Sequence, residues 1–395
     1  MATTQGIKLM TIRDLRIRRA RVIVRVDFNE PISGRGHLSD DFRIRAAMPT
    51  LMKLLADGNQ LVIISHLGRP NGKKRRTMSM KPIARRLSAL LKRRVVFIRD
   101  PFSVRSRRFL ATFEEGRVCM LENIRFWQEE EKNNLQFAEK LSRFGKYYVN
   151  DAFGASHRAH ASIAGISRLL PSCAGLLLAR EVRALDRMCH HQRHPFFVIL
   201  AGGKASGKIE LAKKFIHEAD GVLLGGAIAN SVLMSRGFEI GRSVAYHEMK
   251  NMKKMFNVSS QKLYTPLDVI VSPRIAQGAG SAIKLYSGVA AHDYIVDVGP
   301  ATRRFFIKML KNARTILWNG PLGVVEIPEF SAGTLAIINA LKRSKAYKVT
   351  GGGDTVALLQ KHRLVGVFDH VSTGGGAMLE YLAGKKMPGI EALRK

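Results

Sequence analysis

Short apolar runs alternate with amphipathic, helix-like segments along most of the chain. In the first half, five apolar runs are predicted as strands, at 21–28, 61–65, 95–98, 118–121 and 147–149. Three segments have the apolar spacing of helices, at 43–56, 81–91 and 137–144. Strands that alternate with helices are typical of a parallel sheet that helices cover on both faces.

The same alternation begins again after Pro195, with predicted strands at 196–200, 221–224, 267–271, 315–317, 347–350 and 367–371 and helices at 208–218 and 229–236. Between the halves, 174–189 has a long helical pattern and is interpreted as a connecting helix. A chain of 395 residues is also too long for one core of ordinary size. We therefore predict an α/β protein with two Rossmann-like domains, each built on a parallel sheet.

Two glycine-rich loops lie close together near the C-terminus, at 350–355 (TGGGDT) and 372–377 (STGGGA). Each precedes a helix-like run, at 356–360 and 378–382. The N–H groups of glycine can approach an anion closely, and at the start of a helix they are unpaired and carry positive potential. One loop alone is compatible with a turn, but two loops, one with Asp354 placed to meet a metal, indicate a nucleotide site.

Polar motifs follow several predicted strands of the first half: RVDFN at 25–29, SHLGRP at 65–70, ENIRF at 122–126, and NDAF at 150–153, which leads to HRAH at 157–160. Ligands of parallel sheets bind beyond the carboxyl ends of the strands. The planar guanidinium of arginine binds carboxylate or phosphate in a bidentate manner. A single arginine would be read as a surface residue in so basic a chain, but this repeated placement predicts a pocket for a small, multiply anionic substrate.

The second half adds GGKASGK at 202–208, which follows a strand and opens a helix but lacks the Walker spacing. WNGPLG at 318–323 also follows a strand, with Glu326 close behind. Asn319 and Glu326 are candidates for holding ribose hydroxyls, although a rigid Gly-Pro turn explains this segment equally well.

Eight of these motifs occur in one order (RVDFN, SHLGRP, ENIRF, HRAHAS, GGK…K, WNGPLGVVE, TGGGDT, STGGGA), and on them the chain resembles the phosphoglycerate kinases nearly from end to end. The resemblance implies reversible, Mg²⁺-dependent phosphoryl transfer between ATP and 3-phosphoglycerate, giving ADP and 1,3-bisphosphoglycerate. It implies a 3-phosphoglycerate domain at 1–172 on which 385–395 packs back, a hinge helix at 173–192 and a nucleotide domain at 193–384. Direct in-line transfer would follow closure of the cleft between the domains.

The resemblance also assigns roles to residues. The phosphoglycerate would be bound by Asp27, Phe28, Asn29, Arg43, His66, Leu67, Gly68, Arg69, Arg125 and Arg158. The nucleotide, ATP or ADP, would be bound by Lys204, Lys208, Asn319, Glu326, Gly352, Gly353, Asp354 and Thr355, with Asp354 meeting the Mg²⁺ ion. The phosphoryl group in transfer would be stabilised by Arg43, Lys204, Gly352 and Gly375.

The chain departs from the family pattern at one loop. Ala201-Gly202-Gly203-Lys204 permutes the usual small residues, and Gly207 stands where many members carry an acidic residue. Neither change removes a lysine, so we expect activity to survive.

The charge is unusual for a metabolic enzyme. Lysine and arginine number 65 against 31 acidic residues, which gives a net charge of +34 and a pI near 10.6. Such an excess is typical of proteins that bind nucleic acid. The basic runs are spread out and lack interleaved aromatic residues, which favours a solvated basic surface instead. The six lysines and arginines of the candidate site account for only a small part of the excess.

Several remaining residues are given structural interpretations. His160 and the histidines at 190, 191 and 194 are candidate metal ligands, but the cluster at 190–194 has no cysteine or set of carboxylates nearby, which favours solvated histidines. The run 129–131 (EEE) is predicted to be solvated, and Cys119 is predicted to pack in the core rather than to act as a reactive thiol. Asp151 is a catalytic candidate by position, but a structural hydrogen bond at the end of its strand is favoured. Three scattered cysteines fit a reducing compartment. The first ten residues lack the apolar stretch of a secretory leader, and no apolar run is long enough to span a bilayer. We expect a cytoplasmic monomer.

Overall fold

The structure, a computed structural model, describes residues 7–32, 38–112, 116–204, 207–246 and 260–395, without the side chain of Ala111. It divides into two compact units. The first contains the chain up to Arg183 together with Lys385–Lys395, and the second contains Ala184–Gly384. Ala205 and Ser206 of the GGKASGK loop lie outside the described residues.

The first unit is built on six parallel strands in the order β3-β4-β2-β1-β5-β6. Their bounds are β1 Arg21–Val26, β2 Gln60–Ile64, β3 Val95–Ile98, β4 Val118–Leu121, β5 Tyr147–Asp151 and β6 Ser172–Ala174. The inner strands are buried and mostly apolar, as expected for a sheet that is covered on both faces. Cys119 is fully buried in β4, as predicted, and burial raises the pKa of its thiol.

Helices supply the apolar residues that pack on the two faces of this sheet. The described α-helices of the unit are Ile12–Leu15, Phe42–Ala56, Lys81–Leu91, Val104–Ala111, Gln128–Glu131, Leu135–Ser142 and Pro388–Glu391. A further α-helix, Leu176–His190, begins in this unit and continues past its boundary at Arg183. Helix Val104–Ala111 was not predicted from the sequence, because its exposed arginines obscure the apolar spacing.

The helix predicted from residue 174 begins later in the structure. Ser172–Ala174 instead forms edge strand β6, in which Ala174 pairs with Asn150. The helix starts at Leu176, where Asp151 Oδ1 accepts hydrogen bonds from the backbone N–H groups of Leu177 (3.0 Å) and Leu178 (3.1 Å). The structural hydrogen bond predicted for Asp151 is therefore confirmed, and burial raises the pKa of its carboxyl to about 7.

The C-terminal segment contacts the first unit through buried polar groups. Asn150 Nδ2 donates to Gly389 O (3.1 Å), and the Gly389 N–H donates to Ser156 O (2.9 Å). At the surface, Lys395 Nζ donates to Asp14 Oδ1 at 2.7 Å.

The second unit also has a parallel six-stranded sheet, in the order β15-β14-β13-β7-β8-β9. Its strands are β7 Phe196–Leu200, β8 Gly221–Leu224, β9 Leu263–Tyr264, β13 Thr315–Asn319, β14 Tyr347–Gly351 and β15 His370–Ser372. The described helices are Lys208–Glu218, Gly226–Ser235, Pro300–Leu310, Ala332–Leu341, Gly353–Lys361 and Gly375–Leu382. Two six-stranded parallel sheets among helices confirm the predicted α/β class.

A third sheet departs from the prediction. The strand predicted at 267–271 forms as β10 (Asp268–Ser272), but it lies between β11 (Ala282–Leu285) and β12 (Tyr294–Val298) in an antiparallel sheet. β11 is an exposed edge strand, in which Ile283 and Leu285 face solvent. A strand without a buried face has no alternating pattern to recognise, so the sequence did not reveal it. Among the described residues, no helix is both long and apolar enough to cross a bilayer.

Candidate functional site

The second unit contains a pocket of about 170 Å³ at the carboxyl ends of β7, β13, β14 and β15. This is the edge where parallel sheets bind ligands. The residues that line it are Gly202, Lys204, Lys208, Asn319, Gly320, Pro321, Gly352, Gly353, Asp354, Thr355, Gly375, Gly376 and Leu379. Apart from Glu326, which is exposed and does not line it, every residue assigned to the nucleotide is present. Leu379 was missed, because an apolar residue inside a helix carries no signal of a binding role.

The two glycine-rich loops contact each other in this pocket. A Cβ atom built on Gly375 would lie 3.1 Å from Gly352 Cα, so any other residue at 375 would need the two backbones to shift by a few tenths of an ångström. Gly352 has φ +109°, a conformation that other residues rarely adopt. A Cβ atom on Gly353 or Gly376 would meet nothing within 4 Å among the described atoms. The touching glycines set the spacing of the loops, and their neighbours face open space.

Three helices begin at this pocket, at Lys208, Gly353 and Gly375, and none has a side-chain cap. The first N–H groups of such helices are unpaired and concentrate positive potential. The buried hydroxyl oxygen of Thr355, which lines the pocket, has no hydrogen-bond partner among the described residues. The pocket therefore presents several donors without acceptors, which is the arrangement that binds a polyphosphate.

Two lysines add charge to the pocket. Lys208 is only 5% exposed, and burial lowers the pKa of its ammonium to about 8, partly opposed by the carboxylate of Asp354. Lys204 is exposed, and its backbone carbonyl accepts a hydrogen bond from the buried Tyr246 hydroxyl at 2.8 Å. The tyrosine thus fixes the backbone of the loop that carries Lys204.

Asn319 and Asp354 have different surroundings. Asn319 Nδ2 donates to Gly351 O (3.0 Å), so this side chain braces the first glycine loop. Asp354 is exposed in the first turn of its helix, and no group of three His, Cys, Asp or Glu side chains suited to a metal occurs in the described part of the chain. A lone carboxylate fits Mg²⁺, which usually takes one or two carboxylates together with phosphate oxygens and water.

In the first unit, the residues that follow the strands are linked by hydrogen bonds. The Gly68 N–H donates to Asn29 Oδ1 (2.8 Å), and Arg125 Nη1 donates to Gly68 O (2.9 Å). Arg43 Nη1 donates to Asn29 O, and the Leu67 N–H donates to Asn123 Oδ1 at 3.2 Å. The structure therefore brings together motifs that the sequence separates by up to a hundred residues.

Other predicted residues of this site differ in exposure. Phe28 is fully buried and donates its N–H to Ser65 Oγ (2.9 Å), so its side chain is unavailable to a ligand. Arg69 is exposed, and Arg158 is half-buried with its Nε donating to His157 Nε2 at 3.0 Å. Burial lowers the pKa of Arg125 to about 10, which leaves it cationic at neutral pH.

His66 is held neutral in this cluster. Burial, together with Arg25 and other nearby cations, lowers the pKa of its imidazole well below the usual value. Its Nδ1 lies 3.3 Å from Arg25 Nη2 and 3.5 Å from Asp27 Oδ1. Arginine can only donate, so Nδ1 accepts and the proton resides on Nε2. His66 can then donate one hydrogen bond from Nε2.

The sequence interpretation missed a buried polar network beneath these residues. Arg25 is fully buried in β1, and its Nε donates to Ser162 Oγ at 2.8 Å. Ser162 in turn donates from Oγ (2.6 Å) and from its N–H (2.8 Å) to the carboxyl of Glu130. Nδ1 of the buried His160 lies 3.7 Å from Glu130 Oε1.

The prediction of a solvated 129–131 run is therefore wrong for Glu130, which is fully buried. Burial raises the pKa of its carboxyl, and Arg25 and Ser162 oppose this effect. Glu129 is exposed, as expected. Three consecutive glutamates carry no signal of which one points inward, since that depends on the distant Arg25 and Ser162.

A carboxyl also lies beside Arg43. Glu30 is buried, its Oε1 accepts from the Arg43 N–H at 2.6 Å, and its Oε2 lies 3.6 Å from Arg43 Nη1. Burial raises the pKa of Glu30 to about 7, although Arg43 opposes the shift.

Elsewhere, His190, His191 and His194 are exposed as predicted, and His194 Nδ1 lies 2.6 Å from Asp220 Oδ2.

Comparison with known proteins gives one consistent result. The family model described as phosphoglycerate kinase matches residues 12–385. A phosphoglycerate kinase of Thermomicrobium roseum is 41% identical over 389 residues, covering 98% of this chain and 99% of that protein. A phosphoglycerate kinase of Desulforudis audaxviator is 40% identical over 387 residues, covering 97% of this chain and 98% of that protein.

Solved structures of phosphoglycerate kinases also resemble this chain along nearly its whole length. The phosphoglycerate kinase of Pyrococcus horikoshii has a TM-score of 0.87 at 32% identity, and that of Coxiella burnetii has a TM-score of 0.83 at 37% identity. Each comparison covers 98% of both chains.

Proposed function

Because this chain belongs to the phosphoglycerate kinase family, we propose that its two polar sites bind the two substrates of that family's reaction. The enzyme transfers a phosphoryl group reversibly between ATP and 3-phosphoglycerate, giving ADP and 1,3-bisphosphoglycerate in glycolysis. The acceptor is a carboxyl group, which makes the enzyme a phosphotransferase.

The 3-phosphoglycerate is assigned to the strand ends of the first unit. Arg43, Arg125 and Arg158, with exposed Arg69, supply guanidinium groups suited to phosphate and carboxylate. His66 adds a neutral donor at Nε2, and Asn29 and Gly68 are fixed by their mutual hydrogen bond. Phe28 and Leu67 have buried side chains and donate their backbone N–H groups to Ser65 and Asn123, so in this proposal they fix the loops around the ligand.

The nucleotide is assigned to the pocket of the second unit. The single observation that carries this assignment is the contact between two glycine-rich helix starts, beside Lys204 and buried Lys208. In this proposal, phosphate contacts the two ammonium groups and the amides of Gly352, Gly353 and Gly375. The hydroxyl of Thr355, which has no partner among the described residues, adds a donor. Glu326 is kept as a candidate ribose ligand from the sequence motif.

A Mg²⁺ ion accompanies the nucleotide in this proposal, with Asp354 as its protein ligand. When bound, the ion neutralises negative charge on the phosphates. The exposed position of Asp354 would leave room for water and phosphate oxygens as further ligands of the ion.

In this reaction the protein has to position the two substrates and neutralise the negative charge of the phosphoryl group. The acceptor carboxylate is already ionised near pH 7, so no general base is required. We propose that Arg43, Lys204 and the amides of Gly352 and Gly375 stabilise the negative charge that spreads over the phosphoryl oxygens during transfer. Direct in-line transfer after closure of the two units stays a prediction.

A coupled assay of ATP-dependent phosphorylation of 3-phosphoglycerate tests the assignment. Lys204→Ala is expected to lower kcat by about 10²-fold while KM changes much less, because the ammonium acts on charge that develops in the transition state. Lys345→Ala, at an exposed position of the same unit, removes equal charge and is the matched control. Wild-type kcat in Lys204→Ala would reject this role, and a well-folded protein without turnover would reject the activity.

Nucleic-acid binding is a second candidate function, favoured by the net charge of +34. A gel-shift titration at physiological salt is the test, because phosphate contacts give binding that weakens steeply with salt.

We further propose a cytoplasmic monomer. The support is a small-molecule reaction that needs no second chain and the absence of disulfides among the described residues. Light scattering behind size exclusion measures the mass.

A further inference from the structure

The first unit has another cavity, at the opposite end of its sheet from the strand-end site. It has a volume of about 350 Å³ and lies beside Arg21, the first residue of β1. Asp27 follows the last residue of that strand, so the two places are about 20 Å apart at the usual rise of a strand. The helices Val104–Ala111 and Leu135–Ser142 contribute its walls.

Part of the lining is aromatic. The rings of Phe102 and Phe144 have centroids 5.7 Å apart and planes inclined by 31°. Phe144 and Leu110 are buried, and Phe102 is half-buried. These side chains offer an apolar floor on which a planar ring can pack.

The remaining lining residues are all cationic. Arg21, Arg107, Lys140 and Arg143 surround the aromatic floor, and the described lining contains no carboxylate. Four like charges around one cavity repel each other, and the resulting positive potential attracts an anion. Elsewhere in this unit, arginines do have acidic neighbours, as Arg86 and Arg45 have at Asp41.

Arg21 also has an unused donor. Its Nη1 donates to the backbone carbonyl of Leu110, which fixes the guanidinium. Its Nε is buried and has no hydrogen-bond partner among the described residues. A buried donor without an acceptor costs free energy, and a bound anion would supply the acceptor.

From these observations we propose that this cavity binds a small amphipathic anion, an aromatic ring that carries a phosphate or sulfonate group. The ring packs on Phe102 and Phe144, and the anionic group contacts the guanidinium groups of Arg21, Arg107 and Arg143. The ligand differs from 3-phosphoglycerate, which has no ring to bury. The proposal does not rest on the function assigned to the strand-end site.

Titration calorimetry of the full chain with 1-naphthyl phosphate tests the proposal. Saturating MgADP and 3-phosphoglycerate are present, so that both substrate sites are occupied. Saturable binding of one molecule per chain is expected, with inorganic phosphate and 1-naphthylmethanol binding at least about tenfold more weakly, since each lacks half of the contacts. Binding that the two substrates abolish, or no saturable binding at millimolar probe, overturns the proposal.

Matched variants locate the site. Arg107→Gln and Arg143→Gln change exposed side chains of the cavity, and each is expected to weaken binding about tenfold through loss of a charged hydrogen bond. Arg105→Gln, exposed on the same helix as Arg107 but outside the cavity, is expected to change affinity less than about twofold because only screened charge is lost. An equal loss in all three variants means diffuse attraction by a basic surface and overturns the proposal.

Discussion

At the scale of single residues, the ionisation of the buried lysine in the proposed nucleotide pocket depends on its surroundings. The sequence identifies Lys208 as the second lysine of a glycine-rich loop. The structure buries it at the start of a helix, and burial lowers its pKa to about 8. Its charge is therefore partly lost just above neutral pH.

This predicts a pH dependence of nucleotide binding. The ammonium attracts phosphate and the neutral amine does not, so affinity for MgADP is present below the pKa of about 8 and is lost as pH rises through it. Between pH 7 and pH 9 the affinity should fall about tenfold. Calorimetric titration at a series of pH values measures this. Lys208→Met should bind more weakly at every pH with a flatter profile, and an unchanged profile in that variant would assign the titration to another group.

Arg25 and Glu130 show the limit of sequence interpretation at the same scale. The sequence places Arg25 in a strand motif and Glu130 in a run of three glutamates that is predicted to be solvated. The structure buries both completely and joins them through Ser162. A charged residue is buried only where partners compensate its lost hydration, and those partners are distant along the chain.

At the scale of elements, the two glycine-rich loops work as a pair. Helices Gly353–Lys361 and Gly375–Leu382 begin in the loops that the sequence singled out, a few residues earlier than predicted. Their contact through Gly352 and Gly375 was not visible in the sequence, because it depends on β14 and β15 lying side by side.

The contact predicts different outcomes for two neighbouring substitutions. Gly375→Ala places a methyl group 3.1 Å from Gly352 Cα, so one loop must shift by a few tenths of an ångström, and we expect a cost of about 1 kcal/mol in the free energy of unfolding and weaker MgADP binding. Gly376→Ala meets nothing within 4 Å, so we expect no loss of stability and a gain of at most about 0.5 kcal/mol, because residue 376 lies in the first turn of its helix. Urea unfolding and nucleotide titration compare them. Equal unfolding midpoints for the two variants would mean that the loops do not touch.

Gly207 is a second element-scale case. The family resemblance places an acidic residue there in many members, and the structure gives Gly207 a φ of +77° at the start of its helix. A Cβ atom would also lie 3.1 Å from Leu379 Cβ. Glycine therefore suits the conformation that this chain adopts, and the helix start keeps its free N–H groups.

At the scale of the whole molecule, the charge is the dominant property. The net +34 far exceeds what the two substrate sites require. Both substrates are anions, and a strongly positive protein attracts anions over distances comparable to the Debye length, about 10 Å at 0.1 M salt.

We expect kcat/KM for 3-phosphoglycerate to fall markedly as KCl rises from about 0.05 to about 0.5 M, because salt screens this attraction. The kcat at saturating substrate should change far less, since the bound groups are in direct contact. Initial-rate kinetics at constant pH measures both. A kcat/KM that does not change with salt would leave the basic surface without a role in substrate capture.

The sequence by itself determined most strands of the two parallel sheets, the α/β class and the motifs at strand ends, because these depend on local periodicity and on residue chemistry. Tertiary structure alone decided that β10 lies in an antiparallel sheet, that Phe28 and Glu130 are buried, that Lys208 titrates near 8 and that the glycine loops touch. The physical reason is common to all four. Strand pairing, burial and pKa depend on which distant residues become neighbours, and the local sequence pattern does not show which residues these are.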